Sequence, residues 1–144
     1  MITHFLAASL LLAASMPPAT TGSDLMSKFM WKRRLVLIFG DTMNGSVAEQ
    51  SDDLHAAHAE AERRDLTILT IVGGIVSDSK QAGGLPPADA LRRRFRVGDQ
   101  TPFTVILVGK DGQEKLRESK PVAAGTLFDL IDSMPMRQRE AREE

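Results

Sequence analysis

Two histidines and a carboxylate are spaced so that they could bind a metal. His55 and His58 lie three positions apart and Glu62 follows four positions later, so the three share one face of a helix. Imidazole and carboxylate groups are common zinc ligands, and a bound metal would support a non-thiol enzyme. The same spacing also suits a solvated helix face, with His58 partly packed beside Leu54 and Ala61. Because no third compelling ligand is present, we favour the solvated face and predict no cofactor; His55, His58 and Glu62 stay as the metal candidates.

Four basic residues could hold an anionic ligand or an acidic partner. Lys110, Lys115, Arg117 and Arg137 would each donate charge-assisted hydrogen bonds to such a group. A structural role has its own physical reasons. Lysines on an edge strand discourage edge-to-edge aggregation, and a cation after a helix end is stabilised by the helix dipole. We favour the structural role and keep all four as candidate binding residues.

The composition excludes several kinds of chemistry. The chain has 144 residues and no cysteine, so disulfides, thiolate metal sites and cysteine nucleophiles are excluded. Its net charge is -1, it lacks tyrosine and it has one tryptophan, which argues against a nucleic-acid partner. The length fits one domain that buries about two-thirds of its surface, so a core can form without cross-links.

The elements that must position these residues begin with a parallel βαβ unit. The apolar run Leu35–Phe39 predicts a central strand buried on both faces. A helix is predicted over 46–64, capped by Ser46, and the β-branched run 66–72 predicts a second strand. Two strands joined by one helix within about forty residues favour a right-handed parallel crossover.

The rest of the chain predicts a loop, a short helix, a β-hairpin and a last helix. Residues 73–84 are polar and contain several glycines, which is typical of a mobile loop. Pro86 and Pro87 open a short helix, whose three arginines at 92–94 are expected on a solvated face. The later elements are a strand over 103–108, an Asp-Gly turn at 111–112, a strand over 113–119 and a helix over 123–133.

This order of elements resembles the thioredoxin fold. The resemblance implies an α/β domain with a βαβ unit, then a helix, a β-hairpin and a C-terminal helix around a mixed four-stranded sheet. Pro102, directly before an apolar strand, looks like the cis-proline of that fold. Asp41 and Thr42 stand where the reactive cysteines would be, close in space to Pro102, and Asp41 is either a general base or a turn residue. A thiolate is the nucleophile in thioredoxins and peroxiredoxins, so both activities are excluded for this chain.

A more specific resemblance covers nearly all of the chain after the N-terminal segment. It is carried by four groups of residues: Trp31–Arg34, Arg64–Leu66, Val108–Gly112 with Lys115, and Ile131–Arg137. These groups resemble the bacterial family called domain of unknown function 4174. That family is related to domains of the vertebrate sushi-repeat-containing and coiled-coil-domain extracellular matrix proteins, which are described as peroxiredoxin-like. The resemblance implies an exported thioredoxin-like domain and supplies no reaction.

An apolar run of signal-peptide length stands near the start of the chain. Residues 5–15 carry no charge and are too few for a comfortable membrane span, so we expect cleavage after Ser15 or Ala19. No Lys or Arg precedes the run, which leaves an uncleaved anchor or a misassigned start codon as alternatives. The cleaved protein would be periplasmic or secreted, without a membrane span. We predict three segments: a signal peptide with a linker over 1–22, a thioredoxin-like domain over 23–136 and a charged tail over 137–144.

Three functions remain open at this point. The first is a binding or adaptor module, which would hold an unknown protein or a small anionic ligand around Asp41, Thr42 and Pro102 or on the basic hairpin. The second is a non-thiol enzyme or metal-binding protein that uses the helix with His55 and His58. The third is an envelope-associated structural protein. We favour the binding module, because no residue pattern specifies a reaction.

The predicted export can be tested by mass measurement. We expect protein recovered from the periplasm or the medium to begin at Met16 or Thr20, because small residues after an apolar run suit a signal peptidase. Intact-mass spectrometry would measure this. An intact Met1 would favour an anchor, and recovery of the chain from the cytosol would contradict export.

Overall fold

The computed structural model describes residues 25–80 and 83–144. The predicted signal peptide, its linker and both predicted cleavage positions lie outside the described residues. Residues 25–32 form turns that lead into a sheet flanked by helices. The strands are β1 (Arg34–Gly40), β2 (Leu66–Val72), β3 (Ile75–Asp78), β4 (Thr104–Val108) and β5 (Glu114–Glu118). The helices are α1 (Gly45–Ala56), α2 (His58–Arg63), α3 (Ala88–Phe95), α4 (Ala124–Asp132) and α5 (Pro135–Glu143).

The sheet is mixed, with the strand order β3-β2-β1-β4-β5. β1 and β2 are parallel, with Leu37 opposite Leu69, whereas β4 is antiparallel to β1, with Ile106 opposite Leu37. The outer strands β3 and β5 pair antiparallel with their neighbours. The predicted α/β class is confirmed, and the strand that follows Pro102 does lie beside β1.

The sheet has five strands, whereas the sequence predicts four. The additional strand, β3, lies within residues 73–84, which the sequence predicts as a loop. Gly73 adopts a left-handed conformation with φ of 55°, and the chain then returns so that Ile75 pairs with Val72. Two glycines between strands are a hairpin signal. β3 itself has only four residues and none is fully buried, so no apolar pattern marks it as a strand.

The core lies on both faces of β1, whose seven residues are all buried. Leu37 packs on one face of the sheet with Leu91 of α3. Ile38 packs on the other face with Leu54 of α1 and Leu127 of α4. Neighbouring strand residues point to opposite faces, so this central strand is covered by helices on both sides, as the sequence predicts. The two ends of β1 are therefore held at fixed positions, and the candidate sites lie at these ends.

The first long helix begins and ends differently from the prediction. Asn44 caps it, because its side-chain Oδ1 accepts a hydrogen bond from the N–H of Val47 at 3.0 Å; the predicted cap, Ser46, lies inside the helix. Asparagine is as good a cap as serine, and the amide of Asn44 also donates to the carbonyl of Pro102 at 2.7 Å. The predicted single helix is further divided at Ala57 into α1 and α2.

The C-terminal region contains one more helix than the sequence predicts. α4 agrees with the predicted last helix, and the charged residues from 137 onward belong to α5. Pro135 stands in the first turn of α5, where its missing N–H leaves no hydrogen bond unmade. Among residues 25–80 and 83–144, no helix has the length and apolar character that crossing a membrane requires.

Gly40, at the end of β1, provides a test of this packing. A Cβ atom at Gly40 would lie 2.6 Å from Cγ2 of Val47 and 2.9 Å from the carbonyl oxygen of Thr42. We expect Gly40→Ala to lower the free energy of unfolding by about 1–3 kcal/mol, because backbone must move to admit the methyl group. Urea denaturation would measure it.

Gly125→Ala is the matched control, since Gly125 lies in α4 and a Cβ there meets nothing within 4 Å. Alanine favours a helix over glycine, so this variant should be unchanged or more stable by up to about 1 kcal/mol. Equal losses in both variants would contradict the close packing at Gly40.

Candidate functional site

The loop after β1 is held by its own hydrogen bonds. Oδ1 of Asp41 accepts a hydrogen bond from the N–H of Thr42 at 2.8 Å, and both residues are exposed. Asn44 joins this loop to Pro102 through the 2.7 Å hydrogen bond described above. Asp41 thus has the contacts of a turn residue, and the loop does lie beside Pro102. With no cysteine in the chain, this end of the sheet has no thiol chemistry.

The peptide bond before Pro102 is trans. No residue within 25–80 and 83–144 follows a cis peptide bond, so the cis isomer implied by the thioredoxin resemblance is wrong for this proline. The trans isomer of an X–Pro bond is the more stable one by about 0.5–1 kcal/mol, and the residue pattern alone does not encode the isomer.

Arg92 is buried at the same end of the sheet, although the sequence predicts that it is solvated. It is 5% exposed, and its guanidinium donates to the carbonyl of Gly40 at 2.8 Å and to the carbonyl of Gly98 at 3.0 Å. Gly40 is the last residue of β1, and the two carbonyl oxygens satisfy hydrogen-bond donors of the buried guanidinium. The other two arginines, Arg93 and Arg94, are exposed as predicted. Arg92 therefore joins α3 to the end of β1.

The metal candidates lie around one groove but do not form a metal site. His55 and His58 belong to different helices, and both line a groove of about 440 Å³ together with Glu62 and Lys80. The carboxylate of Glu62 accepts hydrogen bonds from Lys80 at 2.8 Å and from Arg33 at 3.3 Å. Nδ1 of His55 lies 2.6 Å from the carbonyl oxygen four residues earlier in its own helix. Within the described ranges, no group of three or more His, Asp or Glu side chains is arranged to hold a metal ion.

A network of ion pairs whose cations are largely buried lies at the opposite end of the sheet, where β1 and β2 begin and β4 ends. We call this the basal end. Nζ of Lys110, directly after β4, lies 2.8 Å from Oδ2 of Asp65 and 2.5 Å from Oε1 of Glu140. Arg34, the first residue of β1, is 1% exposed and lies 3.1 Å from Oε2 of the same Glu140. Arg34 also donates to the carbonyl of Arg64 at 2.8 Å. One glutamate thus neutralises two buried cations.

The network extends to α4 and α5 through Asp132. The guanidinium of Arg64 lies 2.8 Å from Oδ2 of Asp132, and Arg137 lies 3.6 Å from Oδ1 of the same carboxylate. Arg137 is 6% exposed and also pairs with Glu144 at 2.9 Å. The ion pairs at this end therefore join β1, β4 and the last two helices. We call the following set the basal network: Arg34, Arg64, Asp65, Lys110, Asp132, Arg137 and Glu140.

All four predicted basic site residues have an acidic partner. Lys110 and Arg137 are buried in the basal network, whereas the sequence places them on exposed edges and ends. Lys115 pairs with the carboxylate of Asp111 at 2.9 Å. Arg117 pairs with Glu114 at 2.8 Å and donates to the carbonyl of Phe95. Each of these four cations therefore has a contact within the fold.

Sequence reasoning missed five members of the basal network. Four of them stand in family-like segments, and that position was the signal that could have identified them: Arg34, Arg64, Asp65 and Asp132. Glu140 stands in a charged segment without any pattern, and its partner Arg34 is 106 residues away. Only the packing of α5 onto the sheet brings Glu140 to its partner Arg34.

A groove opens beside the basal network. It has a volume of about 500 Å³ and lies between the turn that joins β4 to β5 and the start of α5. Its apolar side consists of Met134, Pro135 and Met136, and its charged side includes Lys115 and Arg139. We call it the basal groove. Family-like segments from distant parts of the chain form its walls.

Three carboxylates of the basal network have lowered pKa values. Burial disfavours the charged forms of Asp65 and Glu140, but hydrogen bonds and attraction from Lys110 and nearby arginines outweigh burial, so each pKa lies below its usual value. The Arg64 guanidinium also lowers the pKa of Asp132. Acids with a lowered folded-state pKa stabilise the fold above their unfolded pKa of about 4. That stability is lost as the pH falls through the lower folded-state values.

Glu140→Gln tests this network. We expect the free energy of unfolding to fall by about 1–3 kcal/mol at neutral pH. The buried cations Arg34 and Lys110 would then lack the negative charge of Glu140, with which both pair. The difference from the original protein should shrink below about pH 4, because protonated Glu140 then resembles glutamine. Urea denaturation at a series of pH values would measure both effects.

Glu118→Gln is the matched control, since Glu118 is exposed on β5 and forms no ion pair with the described residues. It should change stability by no more than about 0.5 kcal/mol. A loss in Glu140→Gln that stays constant with pH would contradict the role of its charge.

Two relatives show how this domain occurs in larger proteins. The chain is 31% identical over 126 residues to sushi repeat-containing protein SRPX of Homo sapiens, which covers 83% of this chain and 27% of that protein. It is 28% identical over 137 residues to coiled-coil domain-containing protein 80 of Danio rerio, which covers 81% of this chain and 16% of that protein. The chain thus spans well under a third of the length of these relatives.

The fold and the family follow from two further comparisons. Thioredoxin peroxidase I of Plasmodium yoelii superimposes with a TM-score of 0.55 at 14% identity, covering 79% of each chain. At this identity the likeness shows the fold alone, and the predicted thioredoxin-like fold is confirmed. The profile of the family described as Domain of unknown function (DUF4174) matches residues 25–140. Because that match covers most of the chain, this protein belongs to the DUF4174 family.

Proposed function

We propose that this protein is an exported, non-redox binding or adaptor module built on the thioredoxin-like fold. The observation that carries the proposal is the contrast between the two ends of the sheet. The end where this fold places its thiols has none. The family-like segments meet at the basal end, where they form a charged network and an open groove.

The absence of cysteine supports a role without catalysis by sulfur. Disulfide exchange and peroxide reduction both need a thiolate, and no other side chain in this loop replaces it. Asp41 hydrogen-bonds to its own loop, and Asn44 occupies the space between that loop and Pro102. Of the two binding surfaces considered from the sequence, the basic hairpin beside the basal groove is therefore the better supported.

The relatives support a modular role. In sushi repeat-containing protein SRPX and coiled-coil domain-containing protein 80, the region similar to this chain is 27% and 16% of a longer polypeptide. A domain that occurs as one part of different long polypeptides has the character of an interaction module. The apolar segment at residues 5–15 and the extracellular matrix setting implied by the family resemblance both support export.

Photo-crosslinking in the native cell envelope would test the proposed function. A benzoylphenylalanine residue at position 31 would probe the basal end, because Trp31 is 64% exposed and its backbone N–H donates to the carbonyl of Lys110. The same residue at Met43, 65% exposed beside Asp41, would probe the other end. We expect a defined partner adduct from position 31 and none from position 43.

The partner is then identified by mass spectrometry and its dissociation constant measured with both purified proteins. A saturable complex supports the binding module. An adduct from position 43 only would keep the module and move its surface to the loop of Asp41. Absence of any adduct from both positions, with the protein recovered as a free monomer, would overturn the proposed function.

A further inference from the structure

The basal groove combines an adaptable apolar side with charged residues. Met134 and Met136 are partly buried and flank Pro135, where α4 gives way to α5. Methionine side chains are flexible and polarisable, and they are common at surfaces that bind varied apolar groups. The groove volume of about 500 Å³ lies within the range of sites that accept a ligand of a few residues or a small molecule.

The charges around the groove are almost all neutralised within the protein. Lys110 and Arg34 share Glu140, and Lys115 pairs with Asp111. Arg139 is different: it lines the groove, is exposed and forms no ion pair within residues 25–80 and 83–144. A ligand with one carboxylate complements this arrangement. A polyanion would meet cations that already have partners.

Trp31 is an exposed aromatic residue joined through its backbone to one wall of the groove. Its backbone N–H donates to the carbonyl of Lys110, which lines the groove, at 2.6 Å, and the residue is 64% exposed. Its backbone is left-handed, with φ of 64°. For a residue other than glycine this conformation costs about 1–3 kcal/mol and persists only where the surroundings fix it. Tryptophan is among the residues that dominate protein–protein binding energy.

We propose that the basal groove and Trp31 together bind a protein segment that carries one carboxylate beside apolar side chains. The carboxylate pairs with Arg139, and the apolar side chains contact Met134, Met136 and the ring of Trp31. The proposal rests on the proposed function as a binding module and adds the site and the chemistry of the partner. An exposed tryptophan beside an open groove suits a polypeptide better than a small molecule, which needs enclosure on most sides.

Peptide selection would test this site on the full chain. Random twelve-residue peptides displayed on phage are selected against the immobilised protein, and the enriched sequences are synthesised for calorimetry. We expect the enriched peptides to share one Asp or Glu within two positions of Leu, Ile, Phe or Met. Their affinity should fall at least tenfold in Arg139→Glu, because the variant repels the carboxylate.

Two further variants separate the contacts. Trp31→Gly removes the aromatic ring and suits the left-handed backbone, so it should weaken binding at least tenfold without loss of folding. Lys120→Glu is the matched control: Lys120 is an exposed cation beyond β5, away from the groove, and its substitution should leave the affinity unchanged. Thermal unfolding of each variant checks that the fold is intact.

Several outcomes would overturn the proposal. Failure to enrich any peptide would do so, and so would enriched peptides that bind Arg139→Glu and Trp31→Gly as tightly as they bind the original protein. Equal competition by polyglutamate, which has no apolar side chains, would show binding by charge alone and would also overturn it. In each case a partner crosslinked in the envelope would still support the binding module, so the two proposals fail separately.

Discussion

The structure depends on the neutralisation of a buried cation at the start of its central strand. Arg34 has 1% of its surface exposed, and its Nε atom has no hydrogen-bond partner among the described residues. A buried charge without a counter-charge is strongly unfavourable. Glu140 supplies that counter-charge and also pairs with Lys110. The position of α5 follows from this requirement, because the buried side chain of that helix is itself an arginine, Arg137, and its remaining residues are largely polar. The last helix is thus held to the domain chiefly by charge.

The two ends of the sheet have different chemistry because of this arrangement. At the end where β1 finishes, the side chains of Asn44 and Arg92 bond to backbone carbonyls, and these contacts complete the fold there. At the basal end, the cations form ion pairs with carboxylates, but an open groove remains at the junction of α4 and α5. The thioredoxin-like sheet and helices are therefore complete without thiols. The open groove lies at the basal end, opposite the loop after β1 where the cysteines of the fold would stand.

The sequence predicts the central strands well and the edges poorly. β1 and β2 are continuous apolar runs, and such runs have few alternatives once they are flanked by glycine and charged residues. β3 has four residues that alternate between exposed and partly exposed, and only the preceding Gly-Gly pair marks it. Arg92 and Glu140 could not be assigned from the sequence, because a charged residue on a helix is normally solvated. Their contacts depend on partners 52 and 106 residues away. The basic candidates Lys110 and Arg137 were singled out through the family resemblance, but their roles within the network come only from the tertiary structure.

The ion pairs and the basal groove are mechanically connected. One wall of the groove belongs to the hairpin and contains Lys110; the other belongs to the start of α5 and contains Met134 and Met136. Glu140, one turn further along α5, joins these walls through its 2.5 Å contact with Lys110. The glutamate that neutralises Arg34 therefore also links the two walls of the groove. A surface that ion pairs already hold in one shape loses less conformational entropy on binding than a flexible loop would lose. A fold without its usual chemistry can in this way still keep a groove of defined shape.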